Sequence, residues 1–210
     1  MKSKFNVKQL TLLAMLVAVL LLMAFTPLGY LNIGLLAITF NVIPVAIAAI
    51  ALGPAGGLIA GSVFGLTSFL QCIGIGGLSP LGSTLFSINP FFTIVLCFVP
   101  RMLDGFLLGY IFRIVGRFNR TAACFVTGFF AAFLNTAFYM SALVLLFGQT
   151  EYLQGLINGR NILVFICAFV GGNAIFEMLS STIITGAVGT VLCKARLVPE
   201  APKSAKNSEK

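Results

Sequence analysis

The sequence predicts an all-α integral membrane protein, a bundle of six transmembrane helices with both termini in the cytoplasm. Its 210 residues are 59% hydrophobic and only 9% charged, whereas soluble domains carry about 25% charged residues. The apolar runs are about 20 residues long, which suits membrane helices rather than the strands of a barrel. The basic residues form clusters between alternate runs, which indicates that these clusters share one side of a membrane.

Turn residues separate the six predicted spans. Pro27 ends the first span, and Gly53 with Pro54 separates the second from the third. Asn89 and Pro90 open the fourth as a helix cap and first helical residue. The predicted spans are residues 10–25, 33–52, 55–72, 91–112, 122–147 and 162–193. No clear small-residue cleavage site follows the first span, so we expect it to remain as a helix and not to be removed as a signal peptide.

The net charge of +8 comes largely from basic clusters that predict the orientation of the chain. The clusters precede span one, separate spans four and five, and follow span six: Lys2, Lys4 and Lys8; Arg113, Arg117 and Arg120; Lys194, Arg196, Lys203, Lys206 and Lys210. Six spans place all of them on one side, which is predicted to be the cytoplasm, and no nucleic-acid partner is needed to explain the charge. We expect one membrane domain, residues 1–195, and a polar, disordered tail, residues 196–210.

The motifs of common enzymes are absent from the sequence. It contains no histidine, and its five cysteines are scattered singly through apolar segments, so no zinc site, disulfide framework or other cofactor is predicted. It also lacks the phosphate-binding loop with which many ATPases bind nucleotide. With only Asp104, Glu151 and Glu177 as acids in the membrane domain and its loops, a catalytic centre is disfavoured and ligand binding is the chemistry available.

Polar residues recur on one face of several spans, in the half away from the basic clusters. Asn173, Glu177 and Ser181 follow each other at intervals of four in span six, and Asn135 and Tyr139 do so in span five. In span four the pair is Arg101 and Asp104, and Gln71 ends span three on the same side. Polar and charged groups are costly at bilayer depth, so these stripes predict a polar pocket that opens outward.

Simpler explanations compete with a binding role for some of these residues. Asn135 and Tyr139 equally fit hydrogen bonds between membrane helices, and Arg101 and Asp104 equally fit a pair that neutralises itself. Glu177 is different, because no basic residue lies within one helical turn of it in the sequence. Its partner must come from another span, from water or from a ligand, which favours a functional role.

Two patterns of small residues predict close helix contacts. Gly57, Gly61 and Gly65 form a doubled GxxxG stripe in span three, which allows another helix to approach closely. Ala14 and Ala18 form an AxxxA pair in span one. That pair fits either internal packing or the docking of a partner.

Several segments together resemble the substrate-binding S components of energy-coupling factor (ECF) transporters, which import vitamins into bacteria. The resemblance covers about residues 8 to 195. It rests on the size, the six spans, the AxxxA pair, and the segments TFNVIPVAIAAIALGPAGGLIAGSVFGLTSFLQ (39–71), VPRMLDGFLLGYIF (99–112), LNTAFYM (134–140) and GNAIFE (172–177). The segments TFNVIPVAI, LNT and N-x-x-x-E are most similar to pantothenate-type S components. Folate, riboflavin and cobalamin remain open as ligands.

The resemblance implies a function and a set of partners. It implies a multi-pass protein of the bacterial cell membrane that binds a small water-soluble vitamin on the outer side. It also implies that Ala14 and Ala18 dock on a membrane T component that carries two ATPases. Glu177 and Asn173 are then expected to line the vitamin pocket, with Arg101 opposite as a counterion or as the partner of a ligand carboxylate. The alternative is an autonomous secondary transporter or channel in which Glu177 is a proton or cation site.

Overall fold

The computed structural model describes residues 6–26, 29–33, 36–77, 79–157, 159, 162–195 and 197–198, and within this part the chain forms seven helices and one two-stranded sheet. The elements are α1 (Val7–Ala24), β1 (Tyr30–Ile33), β2 (Leu36–Thr39), α2 (Val42–Cys72), α3 (Pro80–Ile88), α4 (Pro90–Val115), α5 (Arg120–Phe147), α6 (Glu151–Ile157) and α7 (Ile162–Lys194). Five helices are long and apolar enough to cross a membrane: α1, α2, α4, α5 and the part of α7 from residue 171 onward. These long helices confirm the predicted class, an all-α membrane protein.

Asparagine side chains begin three of the long helices. Asn6 accepts a hydrogen bond from the backbone of Val7, Asn89 from Phe92, and Asn119 from both Thr121 and Ala122; these last three distances are 3.1, 2.9 and 3.2 Å. A capping side chain satisfies backbone N–H groups that have no partner within the helix. The predicted start of span four at Asn89 and Pro90 is therefore confirmed by its cap.

The chain reverses direction inside α2, at Gly53. This residue has φ +73° and ψ −164°, outside the helical range. A methyl group built on Gly57 would lie 3.0 Å from Cβ of Ala49, although in a straight helix residues eight apart are separated by about 12 Å. The two halves of α2, residues 42–52 and 54–72, therefore fold back on each other. The predicted break between spans two and three lies at this reversal.

The predicted start of span two, at residue 33, is wrong. Residues 30–33 and 36–39 form an antiparallel β-hairpin, with Tyr30 opposite Thr39 and Ile33 opposite Leu36. Helix α2 begins only at Val42. A short apolar run fits a strand as well as a helix, and here the two strands satisfy each other's backbone groups.

The ends of the long helices lie together at two opposite ends of the bundle. The backbone of Ala24, at the end of α1, accepts a hydrogen bond of 2.8 Å from Gln71, near the end of α2. At the opposite end, the reversal at Gly53 lies against the guanidinium of Arg113. We call the end with Gly53, Arg113 and Lys194 the basic end, and the end with the β-hairpin, α3 and α6 the hairpin end.

Glycine residues bring helix backbones into direct contact. Gly57 and Gly105 lie against each other's carbonyl oxygens, and a methyl group on Gly65 would lie 2.9 Å from the carbonyl oxygen of Cys97. The predicted close approach along the GxxxG stripe is thus confirmed, with α4 as the neighbouring helix. A second contact of this kind joins α5 to α7, where a methyl group on Gly128 would lie 2.6 Å from the carbonyl oxygen of Ser181.

The first half of α2 forms the centre of the bundle, since every residue from 41 to 52 is buried. Around it pack side chains of α1, α4 and α5, including Leu20, Leu108 and Ala131. Val198 is 3% exposed and packs with Ile50 near the basic end. Residues 199–210, the rest of the predicted tail, lie outside the described residues.

Candidate functional site

Four helices place buried or half-buried polar side chains at a similar height in the bundle. Measured along each helix from the basic end, Ser68 and Arg101 lie about 21 Å, Asn135 about 22 Å and Glu177 about 26 Å away, at 1.5 Å per residue. The first comes from α2, and the others come from α4, α5 and α7. We call this set, together with Asn41 and Tyr139, the polar layer.

In the polar layer, Arg101 contacts both hydrogen-bond acceptors and aromatic rings. It is 8% exposed. Its Nη1 donates a hydrogen bond of 2.9 Å to the carbonyl of Leu96, and its Nη2 donates one of 3.3 Å to Oγ of Ser68. The guanidinium lies 4.4 Å from the ring centroid of Tyr139 and 5.5 Å from that of Phe64. Aromatic rings and two hydrogen bonds therefore hold a positive charge in a fixed position in the bundle.

Arg101 and Asp104 do not neutralise each other by direct contact. Among the described residues no ion pair joins them, and both Nε of Arg101 and Oδ1 of Asp104 are buried without a hydrogen-bond partner. Within the described residues Arg101 and Asp104 are thus not in direct contact, and Nε of the guanidinium has no hydrogen-bond partner.

Glu177 finds its partner in the β-hairpin. Its Oε1 accepts a hydrogen bond of 2.6 Å from the backbone N–H of Thr39, the last residue of β2. The side chain is 6% exposed. The carboxyl group thus ties the end of the hairpin to α7, across 138 residues of sequence.

The structure brings together some of the predicted binding residues and not others. Tyr139 lies on Arg101, as described above, and Asn135 is buried one helical turn away with its Oδ1 unpartnered. Asn173 is half-buried on α7, one turn from Glu177. Gln71 is buried, but its Nε2 donates to the carbonyl of Ala24. That bond joins Gln71 to the end of α1. The predicted role of Gln71 in binding stays a prediction.

Asn41 belongs to the polar layer and was not predicted as a site residue. It is fully buried, and neither Nδ2 nor Oδ1 has a hydrogen-bond partner. In the sequence it precedes an apolar run, where an asparagine usually indicates a helix cap. In the structure it occupies the cap position of α2 but makes no capping hydrogen bond with its side chain.

Two pairs of thiols also escaped prediction. The sulfur atoms of Cys72 and Cys97 lie 3.7 Å apart, and Cys97 is within 3.9 Å of Oγ of Ser68. The sulfur atoms of Cys124 and Cys193 lie 3.9 Å apart near the basic end. Their spacing along the chain gives no signal, because each pair joins two different helices.

Ala14 and Ala18 lie on the outward face of α1. Both are exposed, together with their neighbours Met15 and Val19, whereas Leu13 is 7% exposed and packs toward α2. Within the described residues the AxxxA pair is therefore not an internal packing contact. The exposed small side chains leave this face of α1 open to close approach by another helix.

The polar layer offers the chemistry of ligand binding. A buried guanidinium with a free donor suits a carboxylate, since hydrogen bonds between charged groups are about twice as strong as neutral ones. The unpartnered amide of Asn41 and the unpartnered Oδ1 of Asn135 suit neutral polar groups. Among the described residues no group of three or more His, Cys, Asp or Glu side chains is arranged to hold a metal ion.

Comparison with known proteins identifies the family. A family profile described as "ECF transporter, substrate-specific component" matches residues 8–189. The pantothenate transporter PanT of Leuconostoc mesenteroides subsp. mesenteroides is 31% identical over 199 residues, covering 90% of this chain and 94% of the relative. The pantothenic acid transporter PanT of Lactococcus lactis subsp. cremoris is 28% identical over 170 residues, covering 73% and 76%.

These similarities confirm that the protein is a transporter component and not an enzyme, and that it is a multi-pass protein of bacterial membranes. They also confirm the resemblance to pantothenate-type S components. The match extends over most of the sequence, including the helices that carry the polar layer. The chain belongs to the family of substrate-specific components of ECF transporters.

Proposed function

We propose that this protein is the pantothenate-binding subunit of an ECF-type importer, and that the polar layer is its binding site. The observation that carries the proposal is Arg101, a buried cation held by Tyr139 and Ser68 with Nε unpartnered. Pantothenate has a carboxylate at one end and an amide and two hydroxyl groups in the rest of the molecule. The relatives named as pantothenate transporters support this choice of ligand.

The guanidinium and the amides would bind different groups of the ligand. Arg101 would bind the carboxylate, because a buried cation without an ion-pair partner gains from an anion that replaces lost water. Asn135 lies one helical turn from Tyr139 on α5 and would bind a neutral polar group. Asn173 and Glu177 would border the site on α7, and the β-hairpin held by Glu177 would cover it.

The site is proposed to open to the outside of the cell. Six passages of the chain through the membrane, with the reversal at Gly53 counted between the second and the third, put both termini in the cytoplasm. The positive residues of the basic end support this orientation, since positive loops stay on the cytoplasmic side. The polar layer then lies in the outer half of the bilayer, on the side from which a vitamin arrives.

Transport would require partners that supply energy. We propose that the face of α1 with Ala14 and Ala18 docks on a T component carrying two ATPases. The exposure of both alanines supports this, because small side chains allow the backbones of two membrane helices to approach. No phosphate-binding loop motif occurs in the 210 residues, so ATP hydrolysis is assigned to the partners.

The experiment that tests the ligand uses the purified chain alone, without nucleotide or partner proteins. Isothermal calorimetry with pantothenate is expected to show saturable binding at one site, whereas folate, riboflavin and cobalamin are expected not to bind. Native mass spectrometry of the freshly purified protein is expected to show bound pantothenate. If one of the other vitamins binds and pantothenate does not, or if binding requires the ATPases, the proposed function is wrong.

A further inference from the structure

Within the part of the chain that the structure describes, the side-chain amide of Asn41 makes no hydrogen bond. It is fully buried and both of its polar atoms are unpartnered. An asparagine at the cap of a helix normally has an extended backbone, from which its side chain accepts a hydrogen bond of the first turn. Asn41 instead has helical angles, φ −65° and ψ −16°, and makes no such bond.

The backbone groups of Gly29, next to Asn41, make their hydrogen bonds elsewhere. A methyl group on Gly29 would lie 3.0 Å from Oδ1 of Asn41, so this glycine borders the amide on one side. The N–H of Gly29 already donates to Thr26, and its carbonyl already accepts from Phe40. Most buried polar groups in proteins have a partner, so a fully buried amide without one requires an explanation.

Asn41 lies between the two contacts that organise the polar layer. Two residues before it, Thr39 binds the carboxylate of Glu177. The residue after it, Val42, belongs to the same buried cluster as Phe64, whose ring lies against the guanidinium of Arg101. Along the first half of α2, Asn41 is about 18 Å from the reversal at Gly53, slightly below the range of about 21–26 Å of the other members of the polar layer.

We propose that Asn41 is a specificity-determining residue that binds a neutral polar group of the ligand, a hydroxyl or an amide. The proposal rests on the proposed function and adds a residue to it. A carboxamide donates and accepts at once, which complements a hydroxyl or amide group, whereas the carboxylate of the ligand is assigned to Arg101. The amide has no hydrogen bond in the free protein, so the hydrogen bonds that it forms with the ligand add to the affinity.

The test compares Asn41→Leu with the natural protein, because leucine has nearly the same size and cannot form hydrogen bonds. Affinity is measured by calorimetry for pantothenate and for pantothenol, in which an alcohol replaces the carboxylate. Asn41→Leu is expected to weaken the binding of both compounds by a similar factor, between tenfold and a hundredfold. Arg101→Leu is expected to weaken pantothenate far more than pantothenol.

Thermal unfolding of the ligand-free protein separates binding from a structural role. Asn41→Leu is expected to have an unchanged or higher Tm, because it removes a buried polar group that has no partner. The control is Asn119→Ala, which removes a cap of α5 and is expected to lower the Tm without changing affinity.

Normal affinity of Asn41→Leu for both compounds would overturn the assignment of Asn41 while leaving the proposed function intact. A lower Tm would instead show that the amide supports the fold. If the natural protein binds no pantothenate, the proposed function fails, and the Tm of Asn41→Leu still decides whether the amide is unpartnered.

Discussion

The half of the bundle near the basic end is packed differently from the half near the hairpin end. Near the basic end, Gly57 meets Gly105 and Gly109 meets the backbone of Pro54, so helices touch with almost no side chain between them. Toward the hairpin end, α2 and α4 stay in backbone contact at Gly61 and Gly65, and the side chain of Arg101 lies against Ser68 and Phe64 of α2. Large and polar side chains are therefore added there to the glycine contacts.

Both halves leave buried polar atoms without a partner, but the groups differ: nearer the basic end they are the hydroxyls of Thr127 and Thr185. In the polar layer Arg101, Asn41 and Asn135 each keep at least one buried atom without a partner. Burying such groups costs free energy that the folded protein must recover elsewhere. We infer that the glycine contacts contribute stability, and that the polar layer retains binding capacity at the expense of stability. Substitutions in the two halves should therefore fail in different ways.

The largest effect is expected at the glycine contacts. Gly57→Ala would put a methyl group onto the carbonyl of Gly105, where backbone and not a flexible side chain must move. Overpacking of this kind costs about 3 kcal/mol or more, which lowers the Tm of a protein of this length by about 6–12 °C. The measurement is thermal unfolding of the ligand-free protein in detergent.

The matched control for this substitution is Gly155→Ala in α6, because no atom lies within 4 Å of the added methyl group. It is expected to leave the Tm unchanged or to raise it slightly. Equal stability of Gly57→Ala and the natural protein would contradict the inference that these contacts contribute stability.

Arg101 should show the opposite pattern, a large loss of binding with little loss of stability. Arg101→Leu is expected to weaken pantothenate binding by about 10–150-fold, the range that corresponds to 1.5–3 kcal/mol for a hydrogen bond to a charged group. Arg101→Lys keeps the charge but loses the planar contact with Tyr139, so it should recover only part of the affinity. Calorimetry on the two variants gives the answer, and a Tm that falls as far as that of Gly57→Ala would return Arg101 to a structural role.

The helices and their close contacts were predictable because they depend on local spacing. Apolar length defines the long helices, and glycines four residues apart define a face along which backbones meet. The hairpin was missed because a short apolar run fits both a strand and a helix. The break at Gly53 and Pro54 was recognised, since glycine readily adopts the positive φ of such a turn.

The candidate site was predictable only in part, because its contacts join distant segments. The cost of burying Glu177 was readable from the sequence, but its bond to Thr39 spans 138 residues. The bond of Gln71 to the backbone of Ala24 was likewise not readable from the sequence, because it joins two different helices. Asn41 resembles an ordinary helix cap until its backbone angles are known.

A moderate effect is expected at Glu177, where two substitutions separate hydrogen bonding from charge. Glu177→Gln keeps an oxygen that can accept from the N–H of Thr39, and its affinity for pantothenate should change less than about threefold. Glu177→Leu leaves that N–H unpaired and should weaken binding about tenfold, a loss of about 1.4 kcal/mol. If Glu177→Gln is as weak as Glu177→Leu, the charge itself matters, which would favour a proton or cation site.

The smallest effect on the isolated protein is expected at Ala14 and Ala18. Both side chains are exposed on α1, so Ala14→Trp and Ala18→Trp should change the free energy of unfolding by no more than about 0.5 kcal/mol and leave pantothenate affinity unchanged. The control is Leu13→Trp, because Leu13 is 7% exposed and packs near Ala51. Overpacking should lower the Tm of that variant.

The same alanine variants should fail completely once partners are required. A tryptophan on this face would hold a partner helix too far away for the backbone contact that small residues allow. Ala14→Trp and Ala18→Trp should therefore lose copurification with the T component and ATP-dependent uptake of pantothenate in reconstituted vesicles, although the isolated chain still binds its ligand. A variant that assembles and transports normally would exclude this face as the docking surface. A variant that unfolds in isolation would mean that the face supports the bundle itself, in contradiction to its exposure.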